Sequence, residues 1–163
     1  MRIESTRLLR RFAAVAWGIV ACGGDDSGAR LFVEEDAALL CLLPQAGPSA
    51  LYALSGACGC QSVMSSRCSA EVRGDRIVVS STALVSDSGR ELCNTACETK
   101  SARCEGTLPA DGQYEIVQGS EQARVALPVA SPQFLFGNYS PGYAVPDCDA
   151  LAETLEAERE ARP

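Results

Sequence analysis

The residues of this 163-residue chain that could carry chemistry are its nine cysteines, because the chain contains no histidine. A cysteine can act as a nucleophile, as a metal ligand or as a partner in a disulfide. The absence of histidine excludes Ser-His-Asp and Cys-His catalysis, and it also excludes zinc sites that use imidazole ligands. The chemistry of the cysteines therefore depends on their spacing and on the compartment in which the chain resides.

The N-terminal segment predicts export. Four arginines and one acid lie in residues 1–11, and residues 12–20 are uncharged and mostly apolar. Nine helical residues would span only about 14 Å, whereas the hydrocarbon core of a bilayer is about 30 Å thick. A basic segment followed by a short apolar segment is typical of a secretory signal and not of a transmembrane helix.

The end of this apolar segment, Ile19-Val20-Ala21-Cys22, resembles the lipobox of bacterial lipoproteins. In that family the cysteine receives a diacylglycerol, the signal is cleaved just before it, and its new amino group is acylated with a fatty acid such as palmitate. The resemblance implies that Cys22 is the lipidated first residue of the mature chain. The next residue is Gly23 and not aspartate, which by the same resemblance favours the outer membrane. The alternative is an ordinary signal peptide that happens to contain a cysteine.

Cleavage before Cys22 would leave a strongly acidic chain. The signal peptide contains four of the 14 basic residues and one of the 21 acidic residues, so the mature chain has a net charge near −10. This charge argues against nucleic acid as a partner and against electrostatic binding to anionic lipids. The sequence Gly-Gly-Asp-Asp-Ser-Gly at residues 23–28 has no apolar side chain to bury, and it predicts a flexible tether.

The other eight cysteines are an even number, which in an exported chain predicts a disulfide framework. A zinc site is the alternative, because closely spaced cysteines resemble ligand pairs. However, Cys58 and Cys60 are closer than the C-x2-4-C spacing of structural zinc, and neither they nor Cys93 and Cys97 form the C-x-x-C motif of thiol oxidoreductases. We therefore expect no metal and no cofactor. The candidate disulfide cysteines are Cys41, Cys58, Cys60, Cys68, Cys93, Cys97, Cys104 and Cys148.

Eight cysteines allow 105 pairings, so only a coarse scheme is predicted. Cys58 and Cys60, which a single residue separates, are poorly placed to bond to one another. We expect the group before the central hairpin, Cys58, Cys60 and Cys68, to pair with the group after it, Cys93, Cys97 and Cys104. Cys41 would then bond to Cys148.

The hydrophobic pattern predicts two hairpins. Residues 69–72 and 76–81 flank a short glycine-containing turn and are rich in β-branched residues. Residues 113–118 and 124–129 alternate apolar and polar side chains on either side of Gly119. The apolar run at residues 37–43 predicts a buried strand or a helical turn. In a different segment, residues 93–97, one helical turn would place Cys93 and Cys97 on one face.

The second hairpin resembles the closing hairpin of secreted Ig-like or carboxypeptidase-regulatory-like β-sandwich modules. The matching positions are Leu108, Pro109, Gly112, Tyr114, Ile116 and Gly119. The predicted fold is a mainly β, small, disulfide-stapled, β-sandwich-like domain with a short C-terminal helix, for which Asp147 could provide the N-cap.

These features predict four segments. Residues 1–21 form a lipoprotein signal peptide, and residues 22–36 hold the acylated cysteine and the tether. Residues 37–148 form the disulfide-rich β domain, and residues 149–163 form an acidic helical tail.

The sequence does not specify a molecular activity. We expect a non-enzymatic binding or structural module, anchored to the membrane by its lipid, with an envelope protein or a glycan as its partner. The alternative is an envelope enzyme, either a thiol–disulfide exchanger or a carboxylate-based hydrolase, and a count of free thiols would separate the exchanger from the module.

Overall fold

The structure is a computed structural model that describes residues 29–36, 38–89, 97–137 and 147–161. This part of the chain is mainly β, with strands in two sheets and one C-terminal helix. The predicted fold class is confirmed. The elements are β1 (Arg30–Glu35), β2 (Leu39–Leu43), β3 (Ala50–Cys58), β4 (Gln61–Arg73), β5 (Arg76–Asp87), β6 (Cys97–Arg103), β7 (Gly112–Gln118), β8 (Glu121–Leu127), β9 (Gln133–Phe136) and α1 (Cys148–Glu160).

The first sheet is built around β5, which is long enough to have two different neighbours on one edge. β4 pairs with β5 along one edge from Gln61 to Arg73. On the other edge, β1 pairs antiparallel with Thr82–Asp87, whereas β7 pairs parallel with the first three residues of β5. β8 completes this five-stranded sheet beside β7.

The second sheet has four strands in the order β6-β3-β2-β9. A tight turn at residues 59–60 joins β3 of this sheet to β4 of the first sheet, so the last residues of β3 and the first residues of β4 lie at the same end of the sandwich. The opposite end of the second sheet contains the start of β3, the end of β2 and the end of β6.

The core lies between the two sheets and follows from alternation along the strands. In β5, the side chains of Ile77, Val79, Ala83 and Val85 are buried, and the residues between them are partly or fully exposed, except Ser81, which is also buried. The main core cluster adds Leu40 and other apolar side chains from the second sheet. A strand with one face against the core and one face toward solvent produces this period-2 pattern.

Both predicted hairpins are present. β4 and β5 pair through the turn that contains Gly74, whose φ of 65° is a conformation that suits glycine. β7 and β8 pair from Gly112 to Leu127 around Gly119. A β-bulge between Val63 and Ser65 shifts the phase of β4, so Val63 before the bulge and Cys68 after it both face the core.

β2 is apolar throughout because both of its faces are covered. Leu40 and Leu42 face the main core, whereas Leu39, Cys41 and Leu43 face α1. Of the two predicted possibilities for this run, the structure therefore contains the buried strand.

The predicted C-terminal helix is confirmed, and α1 packs on the β domain. Leu151, Ala152 and Leu155 pack on the outer face of the second sheet. The Asp147 side chain accepts a hydrogen bond from the Asp149 amide at 2.9 Å, as expected of an N-cap. The acidic side chains at residues 149, 153, 156 and 158 lie on the exposed side of α1.

One boundary needs correction. The predicted tether cannot extend to residue 36, because β1 begins at Arg30 and pairs with β5 over six residues. Cys97 begins strand β6, whereas Cys93 and the segment that could form a helical turn before Cys97 lie outside the described residues.

Asp36 forms hydrogen bonds at the point on the edge of β5 where β1 ends and β7 becomes the neighbouring strand. Its amide donates to the Ser81 carbonyl at 2.9 Å, and its carboxylate accepts from the Ser81 amide at 3.0 Å. The buried Gln118 amide donates to the Ser81 hydroxyl at 2.6 Å. Asp36 has a φ of 51°, which turns the chain from the first sheet toward the second.

Candidate functional site

The disulfides connect the elements as the predicted scheme groups them. Cys41 bonds to Cys148, and Cys68 bonds to Cys104. Cys58 bonds to Cys97, and the two residues lie directly opposite one another on β3 and β6. Cys60 is also disulfide-bonded, whereas Cys93, the remaining candidate, lies outside the described residues.

Each bridge has a different structural role. The Cys68–Cys104 bridge joins β4 of the first sheet to the segment after β6 of the second, so it crosses the core. The Cys41–Cys148 bridge attaches the first residue of α1 to the second sheet. The Cys58–Cys97 bridge lies at the end of the second sheet, and Cys97 is exposed.

The segment after Cys104 lies against the edge of β4. The Glu105 amide donates to the Cys68 carbonyl at 2.9 Å, and the Ala70 amide donates to the Glu105 carbonyl at 2.7 Å. A Cβ on Gly106 would lie 2.2 Å from the Ala70 carbonyl oxygen, and the φ of Gly106 is 121°. The close approach of this segment to the backbone of β4 therefore requires a glycine at position 106.

The predicted lipidation site, Cys22, lies outside the described residues. Within the described residues, no group of three or more Cys, Asp or Glu side chains is placed to hold a metal ion. In the same ranges, no helix combines the length and apolar content that a membrane span requires.

A groove of about 450 Å³ lies between α1 and the far end of the second sheet, and we call it the α1 groove. Its apolar surface includes Pro44, Tyr52 and Leu155. Concave sites with an apolar lining and a few polar groups are the usual form of a ligand site. The complete lining is Leu43, Pro44, Gln45, Tyr52, Arg103, Pro132, Ala152, Leu155, Glu156, Glu158 and Arg159.

The polar groups of the α1 groove come from three different elements. Arg103 ends β6 directly opposite Tyr52 of β3, and its guanidinium donates to the Gln45 side-chain oxygen at 3.2 Å. Arg159 lies one helical turn beyond Glu156 on α1. The groove thus offers positive groups, carboxylates and an aromatic ring, which suits binding of a polar ligand with an apolar part.

The two carboxylates of the groove bear on the hydrolase alternative. Glu156 and Glu158 are two residues apart on α1, and side chains with that spacing on a helix do not face one another. Glycoside hydrolysis requires two carboxylates directed at the same bond. These two residues therefore do not form such a converging pair.

A second concavity, of about 490 Å³, lies beside the tip of the β4–β5 hairpin. Its lining includes Asp75, Tyr114, Glu115 and Arg124. Glu115 already pairs with Arg76 at 2.8 Å, and its amide donates to the Asp75 carbonyl. These contacts hold β7 against β5, so Glu115 serves the fold.

The same hairpin tip carries an exposed ion pair. Arg73 donates to Glu71 at 2.6 Å, which lowers the pKa of the Glu71 carboxyl below its ordinary value and raises the pKa of Arg73. Both side chains are more than 60% exposed, at 63% and 65%, so solvent screens the interaction. The pair belongs to a solvated turn.

Sequence reasoning did not identify the α1 groove. Tyr52 lies in a short apolar run and Arg103 precedes a cysteine, and neither position has a local motif. Only the pairing of β3 with β6 and the attachment of α1 bring them together. The predicted Cys41–Cys148 bridge was the one sequence signal that placed the helix near β2.

Comparisons with protein-family models, with curated proteins and with solved structures found no match. The similarity of residues 108–119 to secreted β-sandwich modules therefore stays a prediction.

Proposed function

We propose that this chain is a lipid-anchored binding or structural module of the bacterial cell envelope, attached to the outer membrane through Cys22. The observation that supports this most is the disulfide framework. Every cysteine in the described residues is disulfide-bonded, and such bonds persist in oxidising compartments outside the cytoplasm. A secretory signal that ends in a lipobox would deliver the chain to such a compartment.

The position of β1 relative to Cys22 is consistent with an anchored module. β1 begins at Arg30, and the connecting residues 23–29 can span at most about 25 Å. Arg30 lies opposite Asp87, which also pairs with Gln61, so β1 begins at the end of the sandwich that holds Cys58. The α1 groove lies toward the other end of the second sheet, about six strand residues or roughly 20 Å from Cys58. In this proposal the anchor holds one end of the domain, and the groove is presented to an envelope protein or glycan.

The test is a Cys22→Ser variant of the full chain, expressed with its signal in a Gram-negative host. We expect the wild-type chain to incorporate labelled palmitate and to remain with membranes in high salt. The variant should lose the label and move to the soluble fraction, because the acyl chains supply the stable membrane affinity. A variant that still resists salt extraction would show that the chain is not anchored through Cys22.

The partner is tested at the α1 groove. We expect Arg103→Glu to reduce recovery of an envelope protein or glycan cross-linked to the full chain, because it reverses a charge in the groove. Arg124→Glu is the matched control, because Arg124 lines the other concavity. If the Arg103→Glu and Arg124→Glu variants recover equal amounts of the cross-linked partner, the partner does not bind at the α1 groove.

A further inference from the structure

Three of the most exposed large apolar side chains lie together near the start of the described fold. Leu31 is 67% exposed, Val33 is 59% exposed and Met64 is 53% exposed. Leu31 and Val33 belong to β1, and Met64 lies in the bulge of β4. A group of this kind differs from singly scattered apolar residues, which are normal on protein surfaces.

The register places these side chains on the outer face of the first sheet. Phe32 packs inward against the small cluster that contains Val63 and Val85. Because side chains alternate along a strand, Leu31 and Val33 point to the opposite face.

Leu84 of β5 connects the two sides of this group. It lies directly opposite Val33 in β1, and in β4 it pairs with Ser65 at the bulge that contains Met64. Directly opposite side chains in a sheet have Cβ atoms about 5 Å apart. Leu31, Val33, Met64 and Leu84 form one surface across three strands, which we call the apolar patch.

The apolar patch lies close along the chain to the proposed anchor, Cys22, and this position favours the membrane as the surface that covers the patch. Leu31 is the second residue of β1, and this step rests on the proposed function, in which Cys22 is lipidated. The connecting residues 23–29 span at most about 25 Å. The patch is therefore held close to the lipid surface by a connection too short to let the domain move far away.

The charged side chains near the apolar patch are also compatible with contact to a lipid surface. The Lys100 ammonium of β6 donates to the Met64 carbonyl at 3.1 Å, so one exposed cation lies beside the apolar side chains. Lysine and arginine beside apolar groups can contact lipid phosphates while their neighbours insert. Glu35 follows Val33 on the same face, and its charge limits how much of β1 can insert.

We infer that the apolar patch lies against the interfacial region of the membrane to which Cys22 is anchored. The domain then rests on the outer face of its first sheet. The α1 groove is formed by the outer face of the second sheet and so faces away from the membrane. The driving force is apolar burial, so the net negative charge of the chain does not oppose binding to zwitterionic lipid.

The experiment uses the full lipidated chain in phosphatidylcholine vesicles that contain a lipid with a diazirine in its acyl chain. After irradiation, mass spectrometry maps the labelled residues, and intact mass reports the acyl groups on Cys22. We expect labels at Leu31, Val33 and Met64 and none on α1. The double variant Leu31→Thr, Val33→Thr keeps strand-forming residues, and its patch labelling should fall about tenfold because interfacial binding scales with buried apolar area.

Val72→Thr is the matched control, since Val72 is also an exposed aliphatic residue of the first sheet but lies at the other end of β4. Its labelling should equal that of the wild-type chain. A chain acylated on Cys22 whose labels avoid the patch, or whose double variant labels equally, would overturn this inference and leave the anchor in place. Cross-links from the patch to a second copy of the chain would overturn it in favour of a dimer along β1. An unacylated Cys22 would overturn both proposals.

Discussion

Removal of the Cys41–Cys148 bridge should destabilise this domain more than any substitution on its surface. The bridge spans 107 residues of sequence. The Cys58–Cys97 bridge shortens the path between its ends to about 70 residues, and closing a loop of that length contributes about 4 kcal/mol on the chain-entropy model. Domains of this size are typically stable by about 5–15 kcal/mol, so the loss is a large fraction of the total.

The perturbation is the double variant Cys41→Ala, Cys148→Ala. We expect the free energy of unfolding in urea to fall by about 4 kcal/mol and the melting temperature to fall by roughly 10–20 °C. Amide hydrogen exchange in α1 should also accelerate, because a 13-residue helix is marginally stable once it is detached.

Leu155→Ser separates the bridge from the packing of the helix. Leu155 is half-buried against the second sheet, and its replacement should cost only about 1 kcal/mol while the bridge keeps α1 attached. A double cysteine variant within about 1 kcal/mol of the wild-type chain, with α1 still protected from exchange, would refute this reasoning. The helix would then be held by packing alone.

Three other perturbations test separate parts of the fold. Gly106→Ala should cost more than about 2 kcal/mol, because its Cβ would meet the β4 backbone, whereas Gly47→Ala, with no atom within 4 Å of its Cβ, should be nearly neutral in the same urea titration. Asp36→Ala should lower the free energy of unfolding by about 2 kcal/mol, because it removes the carboxylate acceptor from a residue with a φ of 51°. Asp36→Asn should recover most of this stability, because its side-chain oxygen can accept the same hydrogen bond. Equal melting temperatures for the two variants would contradict the assigned hydrogen bond. Limited reductant should open the Cys58–Cys97 bridge before the two buried bridges, whose cysteines are at most 6% exposed. Alkylation followed by mass spectrometry identifies the bridge that opens first. Earlier alkylation of a buried pair would show that solvent access does not set the order of reduction.

The local features of the fold could be predicted from the sequence because they depend on neighbours along the chain. Alternation gave both hairpins, and Asp147 provided the N-cap of α1. Setting Cys22 aside by its resemblance to a lipobox cysteine left eight cysteines, and this even number with the spacing of Cys58 and Cys60 was sufficient for the coarse disulfide scheme.

The remaining features depend on contacts between distant segments. The parallel pairing of β5 with β7 and the place of β1 on the same edge have no signature in either strand alone. β1 also begins only two residues after the polar tether sequence, which explains the misplaced boundary. The α1 groove was not predictable, because its lining joins Pro44 to Arg159 across most of the chain.

The pairing of β1 with β5 and the bridge at Cys41 have a mechanical consequence. The hydrogen bonds between antiparallel strands lie perpendicular to the strands. A pull on residue 29 along the axis of β1 therefore loads all the hydrogen bonds between β1 and β5 together, in shear. If β1 yields, only residues 30–37 can be drawn out before the force reaches the buried Ala38 and β2, which corresponds to about 25–30 Å of extended chain. From Cys41 the covalent bridge transmits the load directly to α1 at Cys148, at the other end of the sequence. A domain tethered from its N-terminus can therefore lengthen under tension by one strand while the disulfide-bonded sandwich stays folded.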